Sequence, residues 1–286
     1  MRQSVFTLAI SFMILSAAAP ARAGEYLLNQ DPDHDAKIAH VRLTAELGFV
    51  APLYHKVQFG DDGTYFDYVE DGGQGLLFPF ARLTTDVALW ERHHLVFLYQ
   101  PLEFNTVSTL PAPLRVSGVD FAEGEAVRFK YGFSFWRASY VYDLLSDSPW
   151  ELGVGASLQI RNASITFQSL DGERFVEKED NGPVPALKVR LRRNHGDSFF
   201  WGLEADGLYT SNKFINGADY KFTGAILDAS VYAGFRLTPA ISLFLNVRYL
   251  GGGAEGTSGE RESSGDDGVT RNWLNTAAVT LGVTVE

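Results

Sequence analysis

The chain has no cysteine. That excludes a disulfide framework, a thiolate metal centre, a cysteine nucleophile and a lipid-anchored N-terminal cysteine. Long apolar runs are missing too. Beyond the first residues the longest charge-free stretch, Asn272 to Val285, has 14 residues, short of the roughly 18–20 a helix needs to cross hydrocarbon. Positive charge is scarce: 24 Lys and Arg face 35 Asp and Glu, for a formal net charge of −11. A protein that binds nucleic acid by neutralising phosphates is not expected from that balance. What is abundant is aromatic side chain, at 13% of residues, which speaks against low-complexity disorder.

The first residues read as an export address. Arg2 supplies a positive start, Val5 to Leu15 a short apolar run, and Ala21-Arg22-Ala23 the small residues of a cleavage site. Residues 1–23 are therefore expected to be a cleaved signal peptide. An exported chain without a spanning helix can still cross a membrane, because a closed β-barrel pairs every backbone group between strands.

The dominant period along the remainder is two. Val41, Leu43, Ala45, Leu47 and Phe49 alternate with Arg42, Thr44, Glu46 and Gly48, and Leu152 to Ile160, Ala225 to Leu237, Ile241 to Tyr249 and Val279 to Val285 behave alike. Such alternation marks strands with one apolar and one polar face. Ten segments are expected, near 38–51, 76–91, 94–106, 125–143, 150–169, 184–194, 198–211, 221–237, 240–251 and 271–285. Short turns at Glu91–His93, Ser146–Pro149, Asn194–Asp197 and Thr238–Ala240 alternate with long loops at 52–75, 107–124, 170–183, 212–220 and 252–270. This sorting fits an all-β, transmembrane up-and-down antiparallel β-barrel with long extracellular loops and short periplasmic turns. The expected organisation is a periplasmic N-terminal tail over 24–37 and one barrel domain over 38–286.

Outward aromatics support two interfacial girdles. Trp150, Trp201 and Phe235 fall at short-turn ends, and Phe129, Tyr131, Tyr209, Tyr249 and Trp273 at long-loop ends. Trp201 and Tyr209 are eight residues apart. At about 3.3 Å per residue and a tilt near 45°, that spans roughly 19 Å, close to the height of an apolar band.

With its signal, alternating strands, girdle aromatics and sorted loops, the chain resembles the outer-membrane β-barrel proteins of Gram-negative bacteria. The resemblance covers essentially all of 24–286 and is one of class. Ten-stranded members include omptin proteases and opacity-type adhesins, so strand count fixes no activity. The resemblance implies a place in the cell outer membrane, contact with outer-membrane lipid and lipopolysaccharide, insertion by the outer-membrane assembly machinery, and a monomer.

The same alternation points Arg42, Arg82, Arg128, Lys130, Arg161, Lys188, Arg190, Arg192, Arg236 and Arg248 inward with Glu46, Asp86, Glu204, Asp206 and Asp228. A ten-stranded barrel is only a little wider than the roughly eight-stranded barrels that side chains fill. These groups are therefore expected to form a paired network that fills the lumen. The alternative is a narrow anion-preferring channel constricted by Lys188, Arg190 and Arg192. In the fourth segment the alternation slips at Arg137, which suggests a bulge after Phe135.

Chemistry has few candidates. The histidines are His34 and His40 near the first strand, His55 in the first long loop, His93 and His94 in one tight turn, and His195 in another. No Asp-x-His occurs, so the acid and Asp–His pattern of omptins is not met, and no enzyme is expected. A surface hydrolase would have to use His55 with Asp61, Asp62 or Asp67. Asp31, Asp33 and Asp35 are acidic enough to ligate a hard cation but lie in the expected tail, and the loop acids Asp61, Asp62, Asp67, Glu70, Asp71, Asp266 and Asp267 fit no EF-hand spacing; both groups read as solvated charge. Gly251, Gly253 and Gly256 spell G-x-G-x-x-G, but a loop and not a helix is expected to follow. No cofactor or metal is expected. The reading is a barrel with a structural or surface-interaction role; a narrow solute channel and a surface hydrolase stand behind it.

Overall fold

The computed structural model describes residues 39–145, 149–211, 222–257 and 269–286. The expected signal and tail, with His34 and its flanking aspartates, lie outside the described residues, as do Asp266, Asp267 and the loop 212–220.

The strands are β1 (Ala39–Phe59), β2 (Phe66–Asp67), β3 (Phe78–Leu89), β4 (His93–Gln100), β5 (Glu103–Thr109), β6 (Leu114–Val116), β7 (Val119–Phe121), β8 (Ala126–Asp143), β9 (Trp150–Ser169), β10 (Phe175–His195), β11 (Phe199–Ser211), β12 (Phe222–Thr238), β13 (Ile241–Thr257) and β14 (Val269–Val285). β4 and β5 are two lengths of one stave. They share a single register on β8, with Gln100 opposite Phe135 and Glu103 opposite Gly132. Pro101, which has no N–H to give, marks the break. Ten staves run antiparallel in sequence order, and β14 returns to β1 from Leu43 opposite Val285 to Phe59 opposite Thr270. The barrel is closed, as the alternation requires.

Its outer surface explains the alternation. Leu43, Leu47, Phe49, Val154, Leu158, Ile160, Leu187, Val231, Leu245, Val279 and Leu281 all stand exposed. A continuous apolar band of this extent belongs against hydrocarbon and not water. Aromatic rings bound the band. At the turn end Trp150 meets Trp201 edge to face at 5.7 Å and Phe199 leans on Phe235 at 5.4 Å. At the loop end Tyr209, Tyr249 and Trp273 face outward, Tyr54 bonds Tyr65 through their hydroxyls at 2.8 Å, and Tyr99 stacks on Trp136 at 4.2 Å.

The staves are longer than the alternation suggested. β1 continues through Pro52 by a bulge at Leu53, where the register on β14 shifts. β13 runs to Thr257, so the G-x-G-x-x-G residues lie on a strand. β9 and β10 are joined by the five residues Leu170–Arg174, where a long loop over 170–183 was expected.

The cause is a reversal of polarity along each long stave. On β8 every second residue from Val127 to Asp143 faces inward without interruption. In the turn half those positions include Arg137, Ser139 and Asp143; in the loop half they are Val127, Phe129, Tyr131 and Phe135. Outward positions change in the opposite sense, from Tyr140 and Trp136 to Lys130 and Arg128. The expected bulge after Phe135 is therefore absent: Arg137 keeps the phase, and the hydrophobic signal changes sides. β9 repeats the pattern, with Leu158 and Ile160 outside below Asn162, Ser164 and Thr166, and Ile165 and Phe167 inside. Below the girdle the outer face meets lipid; above it the same face meets water, and the apolar side chains turn to the lumen.

Candidate functional site

The lumen has two layers. In the turn half, cross-strand pairing sets Asp206 directly opposite Asp228, a juxtaposition of like charges that is unfavourable on its own. Arg137, reaching from the facing wall, places Nη1 2.9 Å from Asp206 Oδ2 and 2.8 Å from Asp228 Oδ2. Asp228 also accepts from Arg82 at 3.0 Å and from Arg248. Lys188 spans Glu204 at 2.6 Å and Asp206 at 2.9 Å. Glu46 accepts from Asn246 at 2.7 Å and Thr280 at 2.8 Å. Arg82, Arg137, Asp206 and Asp228 are fully enclosed, and a buried charge is tolerable only when paired in this way.

Nearer the turn end, Asp86 accepts from His94 Nδ1 and Arg190 Nη1, both at 2.8 Å. Arg42 donates to Glu286 at 2.9 Å. Arg42, Asp86 and Arg190, with Glu151, Arg192 and Tyr232, border a cavity of about 110 Å3. Tyr232 lies across Gly202, where a Cβ would stand 2.4 Å from the phenol.

The loop half holds an apolar core. From β1 the chain turns back through β2, which pairs with Lys56 and Val57 and carries Phe66 and Tyr68 into the lumen. There they meet inward rings of the wall: Phe66 stacks on Phe129 at 5.1 Å, and Tyr68 packs against Phe129 and Phe167 at 5.8 Å. Inside this core sits His55, stacked on Tyr68 at 4.3 Å and edge-on to Tyr131 at 4.1 Å, with Nδ1 2.6 Å from Gln74 Oε1. Leu114, Val116 and Phe121 of the β6–β7 hairpin belong to the same core.

A closed barrel, a lipid-facing belt and a filled interior are now in view. The chain is a membrane β-barrel. No protein-family model matches it, and no curated protein matches it in sequence. Among solved structures it is similar to the outer membrane protease OmpT from Escherichia coli, with 12% identity over 86% of this chain and 96% of that one and a TM-score of 0.49. It is similar to Neisserial surface protein A, with 12% identity, 86% and 97% coverage and a TM-score of 0.32. It is also similar to Ail, the attachment invasion locus protein of Yersinia pestis, with 10% identity, 86% and 99% coverage and a TM-score of 0.34. No activity carries over at these values.

Of the residues expected inside, Arg42, Glu46, Arg82, Asp86, Lys188, Arg190, Arg192, Glu204, Asp206, Asp228 and Arg248 line or close the turn half. Arg161 faces the upper lumen, over the ring of Phe133. Arg236 stands at the turn-end mouth, 3.2 Å from the Asp197 carbonyl. Two assignments are corrected. Arg128 and Lys130 face outward, Lys130 lying 3.6 Å from Glu103. Phe129 and Tyr131, expected among the outward girdle, point inward and are buried. They lie above the lipid, where the outer face is wet. On this stretch of wall the outward rings are Tyr99 and Trp136, which join Tyr209, Tyr249 and Trp273 at the loop end.

Sequence reasoning missed Arg137, which the supposed slip concealed, and His94, which was assigned to a turn but is the second residue of β4 and faces inward. It also misplaced His55. Asp67, offered as its partner, instead pairs with Lys56 at 3.1 Å, and Asp62 pairs with Arg115 at 2.8 Å.

Proposed function

We propose that this protein is an outer-membrane barrel closed to solutes, with a structural or surface-interaction role played by what stands beyond the membrane. The observation that carries the reading is the enclosure of Tyr68. Delivered by the first loop, its ring is fully buried among Phe66, Phe129, Tyr131 and Phe167. Beneath it the Arg137–Asp206–Asp228 cluster forms a second, charged barrier. On this reading the turn end faces the periplasm. Outer-membrane lipid and lipopolysaccharide surround the belt, the assembly machinery inserts it, the monomer is the working unit, and neither nucleic acid nor a catalytic reaction is involved.

Planar-bilayer recording tests this. The expected result is an absence of conductance steps from the refolded protein. Steps of defined size with anion preference would overturn it in favour of a narrow channel, and Arg190→Ala with Arg192→Ala would then alter selectivity. The hydrolase alternative is disfavoured by His55, whose partner is the amide of Gln74 and not a carboxylate. Cleavage of peptide or lipid A substrates that disappears with His55→Ala would reverse that ranking.

A further inference from the structure

The cavity in the turn half has a polarity of its own. Six basic and four acidic side chains line it, and most of the basic groups already have partners. Arg42 donates to Glu286, Arg190 to Asp86 and Lys188 to Glu204. Arg192 differs. It is only 8% exposed, yet among the described residues it donates no hydrogen bond; Arg190 and Arg248, which like Arg192 have a buried Nε without a partner, each donate elsewhere to a carboxylate. The facing carboxylate, Glu151, stays 3.9 Å from that nitrogen and is hydrogen-bonded by Asn194 at 3.1 Å. The guanidinium lies over the ring of Phe200, 4.3 Å from its centroid, which holds its plane while its N–H edge adjoins the cavity. Tyr232 borders the same space, and no hydrogen bond within the described residues engages its hydroxyl.

A guanidinium taken out of water needs acceptors for its fork, and carboxylate, phosphate and sulfate match that geometry two bonds at a time. Leaving it without one costs several kcal/mol. A cavity needs only about 10–15 Å3 to admit one water, so a 110 Å3 space has room for a small polyatomic ion. We infer that the cavity is a binding site for one small oxyanion, of the phosphate, sulfate or compact carboxylate class, with Arg192 as its bidentate anchor and Tyr232 as a second donor. Arg42, at the same mouth, contributes charge. Entry is from the turn end. In this one respect the inference rests on the closed-barrel reading, since the aromatic core blocks the other end.

Calorimetric titration of the refolded full-length chain in detergent with inorganic phosphate tests the site. Saturable binding at one ion per chain is expected, with sulfate competing. Arg192→Gln should weaken it roughly ten- to hundred-fold, the worth of a charge-assisted hydrogen bond, and Tyr232→Phe should weaken it less. Arg128→Gln, which removes a charge from the outer surface, should leave it unchanged. No saturable binding, or equal affinity in the Arg192 variant, overturns the inference. Should that variant fail to fold, an unaltered affinity in Tyr232→Phe overturns it equally. Dihexanoyl-phosphatidylglycerol separates a lipid headgroup from a free ion: binding of that lipid alone, without inorganic phosphate, also overturns it. Because the titration is done in micelles, its failure is distinguishable from the appearance of conductance in bilayers.

Discussion

At Asp228 one carboxylate serves three guanidinium groups, from Arg82, Arg137 and Arg248. Arg137 in turn serves two carboxylates that face each other across neighbouring strands. Removing it exposes the repulsion that it offsets. Arg137→Met should destabilise the folded barrel by about 3–5 kcal/mol, the usual cost of orphaning a buried charge, read from urea unfolding in micelles. Adding Asp206→Asn should recover part of that loss, because the two sites are coupled; simple additivity would show that the cluster does not act as a unit. Outside the membrane, Asp171 offers a milder test. The Ser169 hydroxyl, followed by the Glu173 N–H, holds its carboxylate below the usual range. A carboxyl lowered on folding contributes stability at pH values above its unfolded value, near 3.9, and that contribution is lost as the pH falls through the folded value. The protection of amides in the turn 170–174, corrected for the slower intrinsic exchange in acid, should thus fall on acidification through that window, and Asp171→Asn should abolish the dependence. The lumen charges were legible because alternation assigns faces wherever lipid makes one face apolar. Arg137 was not, because it lies where the apolar face changes sides.

The long staves carry that lesson at the level of the element. A single β-strand here has two environments on each face, so no fixed assignment of apolar to outside holds along its length. β9 shows it within one run: Leu158 projects into the belt and Thr166, on the same face, into water. Leu158→Arg should therefore cost about 2–4 kcal/mol, as charge on a lipid-facing position does, whereas Thr166→Arg should stay within about 0.5 kcal/mol. Equal penalties, measured by the same unfolding assay, would mean that the membrane boundary is not between them. This geometry also accounts for the strand ends. Reading 52–75 and 170–183 as loops followed from their glycines and acids, where the pattern of outward apolar residues fades; Pro52, Pro183 and Pro185 lie in or beside them. The pattern had not faded but inverted, and the prolines were accommodated at a bulge in β1 and along β10.

For the whole molecule, two interiors lie one above the other within one continuous wall: charged, with a small cavity, where lipid surrounds it, apolar where water does. Composition and period were sufficient for closure, the belt and the turn-end girdle, since each depends on a solvent boundary that every stave meets at about the same height; at the loop end Tyr209, Tyr249 and Trp273 were placed correctly and Phe129 and Tyr131 were not. The folding of the first loop into the lumen was not legible, because Phe66 and Tyr68 sit among acids and glycines whose local character is that of an exposed loop. Tyr68→Ala tests how much this inner core contributes. Loss of its packing should lower stability by about 3–5 kcal/mol while leaving the apolar belt intact, measured as a shifted urea midpoint in protein that still refolds into micelles.

Past Ile160, β9 continues for nine strand residues, Arg161 to Ser169, roughly 30 Å along its axis at about 3.3 Å each. If the loop end faces the cell exterior, as proposed above, whatever approaches it at this point touches hydrogen-bonded sheet, not slack chain. Antisera raised against linear peptides from 126–179 should stain boiled protein on a blot and ignore intact cells, while antisera raised against the refolded barrel should do the reverse.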